Sequence, residues 1–379
     1  MAQLMAWIQR LRVACRYFFH QGGWHLLTRP GIVYNYWLAR RQARQHRVEV
    51  SYQPSHVEIE LSNRCNLACV QCLRATGKIG EEGGMSLVTF QRVLEQFPCV
   101  VTVALNGFGE VFLNKEFLPI VRWINASRPW VRVVITTNGT FFTPRMVEEL
   151  LSVRVARLDV SLDAASPQTY LAIRRAPQFD RIVEGVRLLL EERRRRGMHH
   201  PTVGFNFIIL DKNLDEVPAM VQLAHDVGVD RITAIRGEFS PWGYSNQQLR
   251  PRHEVVAILD SAQRLADRLN VQILENILCQ TDHVDDFLPG LRRFNGYCDS
   301  FWNNIRLDYQ GNVMLCCFSP LASDFSYGSV LEKGWDAIWN GPIFLDARQK
   351  ANAGTFVAKA CATCRPVLPI ARPDPDPMT

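Results

Sequence analysis

Short runs rich in β-branched residues alternate with longer amphipathic stretches from residue 56 to about 275, and this alternation limits the fold more than any other feature. HVEIELS (56–62), VVTVALNG (100–107), VRVVITTNG (131–139), VARLDVSLD (155–163), TVGFNFIIL (202–210) and DRITAIR (230–236) read as strands. Leu87–Phe97, Lys115–Ala126, Pro144–Leu151, Phe179–Arg196, Leu214–Val227 and Pro251–Arg268 read as the helices between and after them. Strand-then-helix repetition predicts an α/β fold with a parallel sheet and right-handed crossovers. Six such units build either an open, partial barrel or a doubly wound sheet, and periodicity does not separate the two. The charge run EERRRRG (191–197) fits a solvated helix end, with basic residues in the last turn and Gly197 as a cap.

The flanks differ in texture. Residues 1–50 form a basic extension in which 4–19 and 34–46 read as amphipathic helices. The commoner fate of such helices is to pack on the main domain with their arginines solvated; the alternative is a membrane-surface or partner-docking pair. Residues 51–280 are the main domain. Residues 290–368 read as a small α+β module, with a hairpin turning at Gln310-Gly311-Asn312 and a helix over about Trp335–Gln349. The Pro-rich tail 369–379 is expected to be disordered.

Charge narrows the function. The chain carries +6 overall, but residues 1–48 hold eight arginines and no Asp, Glu or Lys, so the remainder is slightly negative. A body without a basic surface argues against nucleic acid as partner. No run of roughly eighteen apolar residues suits a membrane-spanning helix, and the arginine-broken N-terminus lacks secretory-signal character, so a cytoplasmic location is expected.

Eleven cysteines are many for an inert intracellular chain and too unevenly placed for a disulfide scaffold. Three of them, Cys65, Cys69 and Cys72, stand on the loop after the first strand, at the sheet edge where α/β folds place active sites. Three thiolates on one loop suit three corners of a cubane iron–sulfur cluster and leave one iron open. A zinc site is the alternative, although zinc ligands more often come as Cys-x2-Cys pairs.

Cys-x3-Cys-x2-Cys in this place resembles the radical S-adenosylmethionine (SAM) superfamily, and further motifs follow in order. NGFGEVFLN (106–114) is similar to the superfamily's Gly-Gly-Glu-Pro edge, keeping Gly109 and Glu110 but with Phe108 and Val111 for the first glycine and the proline. TTNGT (136–140), with Asn138, is similar to the third-strand end, and DVSLDAASPQTYLAIR (159–174) to the fourth. The resemblance implies a partial (β/α)6 TIM-like barrel. It also implies that Gly109 and Glu110 meet the SAM amino group, Ser161 and Asp163 the ribose, Arg174 the carboxylate side, and Asn206 a further polar edge of SAM. The activity it implies is reductive cleavage of SAM at a [4Fe–4S] cluster, giving a 5′-deoxyadenosyl radical that abstracts hydrogen from an unactivated C–H bond. A flavodoxin- or ferredoxin-type reductant is the expected electron source.

Cys298, Cys316, Cys361 and Cys364 are similar to the shortened SPASM (twitch) module, which implies one auxiliary [4Fe–4S] cluster with four protein ligands. Cys317 competes with Cys316, and a four-cysteine zinc site would use the same residues. Cys15, Cys99 and Cys279 read as small buried hydrophobes. Glu238, Trp242 and Tyr244 on the loop after the sixth strand, and Asp299 beside Cys298, are candidates for substrate contact or proton transfer. The substrate expected is a small molecule or a peptide, oxidised or otherwise modified. The other readings are a non-catalytic iron–sulfur or zinc protein, and a membrane-associated enzyme acting on lipid-linked substrates through the basic arm.

Overall fold

The computed structural model describes residues 22–77, 81–236, 252–276, 301–303, 305–314 and 327–353. Six strands follow one another across a parallel sheet: β1 (His56–Ile59), β2 (Thr102–Leu105), β3 (Arg132–Thr137), β4 (Arg157–Ser161), β5 (Thr202–Ile209) and β6 (Arg231–Arg236). Each new strand is added on the same side as the last. A doubly wound sheet reverses direction at a switch point, so this monotonic order selects the barrel type that periodicity left open. Three strands extend the sheet beyond the six expected. β7 (Gln272–Asn276) lies parallel to β6, β8 (Ile305–Leu307) lies parallel to β1 on the opposite edge, and β9 (Val313–Met314) closes an antiparallel hairpin on β8.

The helices start where their caps put them. α1 (Pro30–Arg44) has proline in its first turn. α2 (Leu87–Glu95) is capped by Ser86, α3 (Phe117–Ser127) follows, and α4 (Pro144–Leu151) is capped by Thr143 with proline at its start. α5 (Pro167–Arg174), an extra short helix, starts with the same Ser-Pro chemistry at Ser166. α6 (Phe179–Arg195) ends in the expected basic turn, with Gly197 at φ 64° just beyond it. α7 (Val217–Val227) and α8 (Arg252–Leu269) complete the main domain. The single C-terminal helix expected is broken: α9 (Val330–Lys333) precedes α10 (Trp335–Trp339) and α11 (Pro342–Asn352). Pro342 lacks the N–H that would continue α10, and Gly341 before it is extended, so the helix restarts.

The two faces of the sheet differ in kind. Val57, Ile59, Val103, Leu105, Val133, Ile135, Leu158, Val160, Val203, Phe205 and Phe207 join the helix faces in one apolar core. The alternate positions carry His56, Glu58, Thr102, Arg132, Arg157, Asp159, Ser161, Asn206 and Arg231. Pleating sends these to the other side, so the sheet encloses a polar interior. Fully covered parallel sheets usually read as continuous apolar runs; the alternation here marks a second, polar buried face. Buried charges in it are paired: Arg157 and Arg231 on Asp159, and Arg306 of β8 on Glu58.

The basic extension splits into a described and an undescribed part. α1 packs through Ile32, Ala39 and Ala43. Asn35 exchanges two hydrogen bonds with the Gln53 backbone, and Gln42 pairs with Ser51 at 2.7 and 2.8 Å. The packed-extension reading therefore holds for 30–44, whereas 4–19 lie outside the described residues. The C-terminal segment is stitched to the same region. Tyr52 donates to the Trp302 carbonyl at 2.6 Å, and fully buried Arg348 donates to the Val48 and Phe301 carbonyls at 3.0 Å beneath the Trp339 ring. No helix among the described residues is long and apolar enough to cross a membrane.

Candidate active site

The loop that follows β1 carries Cys65, Cys69 and Cys72, and hydrogen bonds from four directions shape it. Cys72 N donates to the Cys69 carbonyl at 3.1 Å, turning the chain between two thiols. Asn63 holds the loop's return, donating to the Glu81 carbonyl at 2.8 Å and accepting from Gly83 N at 2.7 Å. Asn66 donates to Thr140 Oγ1 at 2.9 Å and accepts from Asn138 Nδ2 at 2.8 Å. Val70 N donates to the Ile173 carbonyl of α5 at 2.9 Å. Burial pushes the ionisation of Cys65 and Cys72 upward, followed by the Glu110 charge at Cys65 and the neighbouring thiols at both. Thiolate ligation releases those protons, so cluster loading is coupled to pH.

The β2 edge locks against this loop. A Cβ on Gly109 would lie 2.0 Å from the Ser62 carbonyl oxygen and 2.5 Å from that of Arg64, so only glycine allows the approach. Glu110 N donates to the Arg64 carbonyl at 2.7 Å. The buried Glu110 carboxylate accepts from Thr137 Oγ1 and Asn138 N, both at 2.7 Å, and from Phe112 N at 3.3 Å. Burial raises its pKa, and these donors oppose the rise. A 3-10 turn begins at Val111, so the backbone that a proline would preset is reached without one. Glu110 thus ties the β2 and β3 ends together with its side chain and the loop after β1 with its backbone N–H.

Asn138 reaches the cluster loop directly, with Nδ2 3.8 Å from Cys65 Sγ. Arg174 lies 3.5 Å from Cys69 Sγ through one guanidinium nitrogen, and 2.6 Å from Asp163 Oδ2 through another. Asp163, expected at the ribose, sits beside Arg174. Its side chain is fully buried, Oδ1 accepts from Ile208 N at 2.8 Å, and Oδ2 accepts from Gln71 at 2.5 Å as well as from Arg174. Asp163 is the anchor that fixes Arg174 and the cluster loop. Ser161 and Asn206 are directly opposed in the β4–β5 register and half-buried on the polar face.

Asn66, Gln71, Thr137, Thr140, Tyr170 and Glu216 belong to the site and were not singled out in the sequence. Glu216 accepts from Ala165 N, Ser166 Oγ and Thr169 Oγ1 at 2.6–2.7 Å, fixing the start of α5. The Ser-Pro pair at 166–167 was the available signal for that helix. Cys99 is half-buried, more open than expected. Glu238, Trp242, Tyr244, Cys279, Cys298, Asp299, Cys316, Cys317, Cys361 and Cys364 lie outside the described residues, as does Cys15.

Glu60, at the end of β1, accepts from Phe108 N at 2.6 Å, and burial pushes its pKa from 4.5 up to about 7. The folded state keeps this proton longer than the unfolded chain does. Stability from Glu60 is therefore full below its unfolded value and is lost as pH rises through about 7. Glu60→Gln should flatten that decline when urea midpoints are compared at about pH 5 and about pH 8. An unchanged slope would show that Glu60 does not titrate in this window.

Comparison with known proteins agrees with this geometry. Residues 59–224 match the model of the Radical SAM superfamily, and residues 298–365 match that of an iron–sulfur cluster-binding domain, SPASM. The chain thus carries a radical SAM domain, of a superfamily of enzymes, with a SPASM domain after it. Its cofactors are accordingly SAM, a [4Fe–4S] cluster and auxiliary iron–sulfur clustering in the C-terminal domain.

AdoMet-dependent heme synthase of Methanosarcina barkeri is 28% identical over 345 residues, covering 84% of this chain and 93% of that protein. The subtilosin biosynthesis protein AlbA of Bacillus subtilis is 22% identical over 294 residues, 76% of this chain and 60% of AlbA. The chain spans about half to three-fifths of the length of two of the curated relatives it matches. Streptococcus suis SuiB, in a crystal structure with the precursor peptide SuiA, shares the fold with a TM-score of 0.62. That match has 13% identity and covers 82% of this chain and 70% of SuiB.

The residues present fit an anionic cluster. Three thiols share one loop, and Asn138 and Arg174 present N–H donors to two of them. The buried Tyr170 hydroxyl, Arg174 Nε and Gln71 Oε1 have no hydrogen-bond partner among the described residues. Among those residues no three ligand side chains converge as around a single ion. Thiolates on three different irons stand farther apart than that.

Proposed function

We propose that this chain is a radical SAM maturase that abstracts hydrogen from an unactivated C–H bond of a peptide. The observation that carries the chemistry is the three-thiol loop held between Asn138 and Arg174 beside the polar face of the sheet. When bound, SAM and the reduced cluster supply the 5′-deoxyadenosyl radical. The chain's own residues bind and orient. Cys65, Cys69 and Cys72 hold the cluster, the 107–110 edge receives the SAM amino group on backbone carbonyls, Arg174 orders the carboxylate side, and Ser161 and Asn206 face the nucleoside. Asp163 and Glu110 fix these parts in place.

Cys298, Cys316, Cys361 and Cys364 would hold one auxiliary [4Fe–4S] cluster in a domain spanning about 290–368, after a radical SAM domain of about 51–280 and a basic extension of 1–50. Glu238, Tyr244 and Asp299 are proposed substrate-side groups. A flavodoxin- or ferredoxin-type reductant in the cytoplasm would supply the electron. The peptide reading draws support from AlbA, a bacteriocin biosynthesis protein, and from the chain's SPASM domain. The test is anaerobic turnover with a candidate precursor peptide deuterated at carbon. Deuterium appearing in 5′-deoxyadenosine, with a matching mass change in the peptide, supports the proposal. The likeness to heme synthase over most of both chains favours a small-molecule substrate as the second reading. Deuterium transfer from a tetrapyrrole and none from peptides would establish it.

The extension supports a peripheral contact with anionic membrane. Trp24, Leu27, Val33, Tyr34 and Trp37 are each half or more exposed, five of the eight exposed large hydrophobics described. They neighbour Arg41 and Arg44 in a stretch with no acidic residue. Full-length protein should float with vesicles containing phosphatidylserine, and Trp37→Ser with Arg41→Glu should reduce flotation several-fold. Equal flotation of this double variant would refute the contact.

A further inference from the structure

Tyr170 stands out among the buried groups around the cluster loop. It lies one helical turn before Arg174 on α5, so the two side chains share a face. That face is clamped to the loop, since Arg174 touches Cys69 Sγ at 3.5 Å and the Ile173 carbonyl holds Val70 N at 2.9 Å. The Tyr170 ring is fully buried and packs on Phe179 with centroids 6.0 Å apart. Its hydroxyl has no partner among the described residues, and the charges that act on it are those of Arg174, Cys69, Asp163 and Cys65. Burial keeps the phenol protonated, so it is available as a donor.

A buried hydroxyl without a partner costs about 1–3 kcal/mol. A residue that only filled this space would do so better as phenylalanine. The acceptors that would satisfy it are the thiolate and sulfide sulfurs of a cluster held by the adjacent loop. Each hydrogen bond to such sulfur stabilises the reduced, more negative form and raises the potential.

We propose that Tyr170 is a positioning residue whose hydroxyl donates a hydrogen bond to the iron–sulfur cluster at Cys69, and so sets how readily that cluster is reduced. The inference concerns the cluster, not the substrate proposed above; turnover on a different substrate leaves it standing. Redox titration of the reconstituted full chain, followed by the electron paramagnetic resonance signal that changes on adding SAM, reads it out. Tyr170→Phe should retain iron and shift the midpoint to a more negative potential. An unshifted midpoint at full iron content would overturn the proposal. Should the phenylalanine variant lose iron, 3-fluorotyrosine at position 170 keeps the shape and strengthens the donor. Its midpoint should move in the positive direction, and no movement would equally overturn the proposal.

Discussion

Alanine in place of Cys65, Cys69 or Cys72 is expected to abolish formation of 5′-deoxyadenosine, to below a thousandth of the unsubstituted rate. Each thiol is, in the proposal, one of three protein anchors for the cluster, and Cys99 is the one other cysteine among the described residues. The scaffold should survive, because the loop is fixed by Asn63, Asn66 and Val70 and not by its thiols. Losing one small side chain here should cost about 1 kcal/mol or less. Iron is expected to fall from about eight per chain to about four, since each cubane carries four. Circular dichroism and iron content measured together separate cluster loss from unfolding. A variant that still makes 5′-deoxyadenosine at an undiminished rate would show that another set of ligands holds the reactive cluster.

Breaking the Asp163–Arg174 pair is expected to have the largest effect on the fold. Both side chains are buried, and Asp163 gathers donors from β5, the cluster loop and α5. Removing one partner leaves the other charged and unpaired in the interior, at a cost of about 3–5 kcal/mol. Asp163→Asn keeps an acceptor for Ile208 N but strands the guanidinium. Arg174→Met strands the carboxylate and removes the donor from Cys69. The double substitution should recover part of the loss, because neither charge is then left alone, and the cycle yields their coupling. Cluster loading should fall in both single variants, since Asp163→Asn weakens the hold on Gln71 and Arg174→Met removes the donor to Cys69. Additive losses in urea unfolding would show that the pair is not coupled as the geometry requires.

The sequence displayed more of the scaffold than of the site. Six strands were legible because every second residue was β-branched or aliphatic, and the Cys-x3-Cys-x2-Cys spacing pointed to a cluster from local residues alone. The polar interior was written in the same strands, in the alternation of Val57 and Ile59 with His56 and Glu58. Other features depend on contacts that spacing does not encode. β8 reaches β1 across some 250 residues and pairs through three of them. Asn66, Thr140 and Asn138 meet only because two loops close at one height. Asp163 is expected at the ribose from its motif, and its pairing with Arg174 is a contact that spacing does not encode. Its burial follows from Arg174 folding back on α5, a helix too short to announce itself by periodicity.

The central claim is that the three-thiol loop holds the cluster that reacts with SAM. Its most direct test is anaerobic reconstitution of the full chain, reduction with dithionite, and measurement of 5′-deoxyadenosine after addition of SAM. SAM-dependent 5′-deoxyadenosine from the unsubstituted chain, with none from Cys65→Ala, is the predicted result. A chain with its full complement of iron that yields no 5′-deoxyadenosine would contradict it.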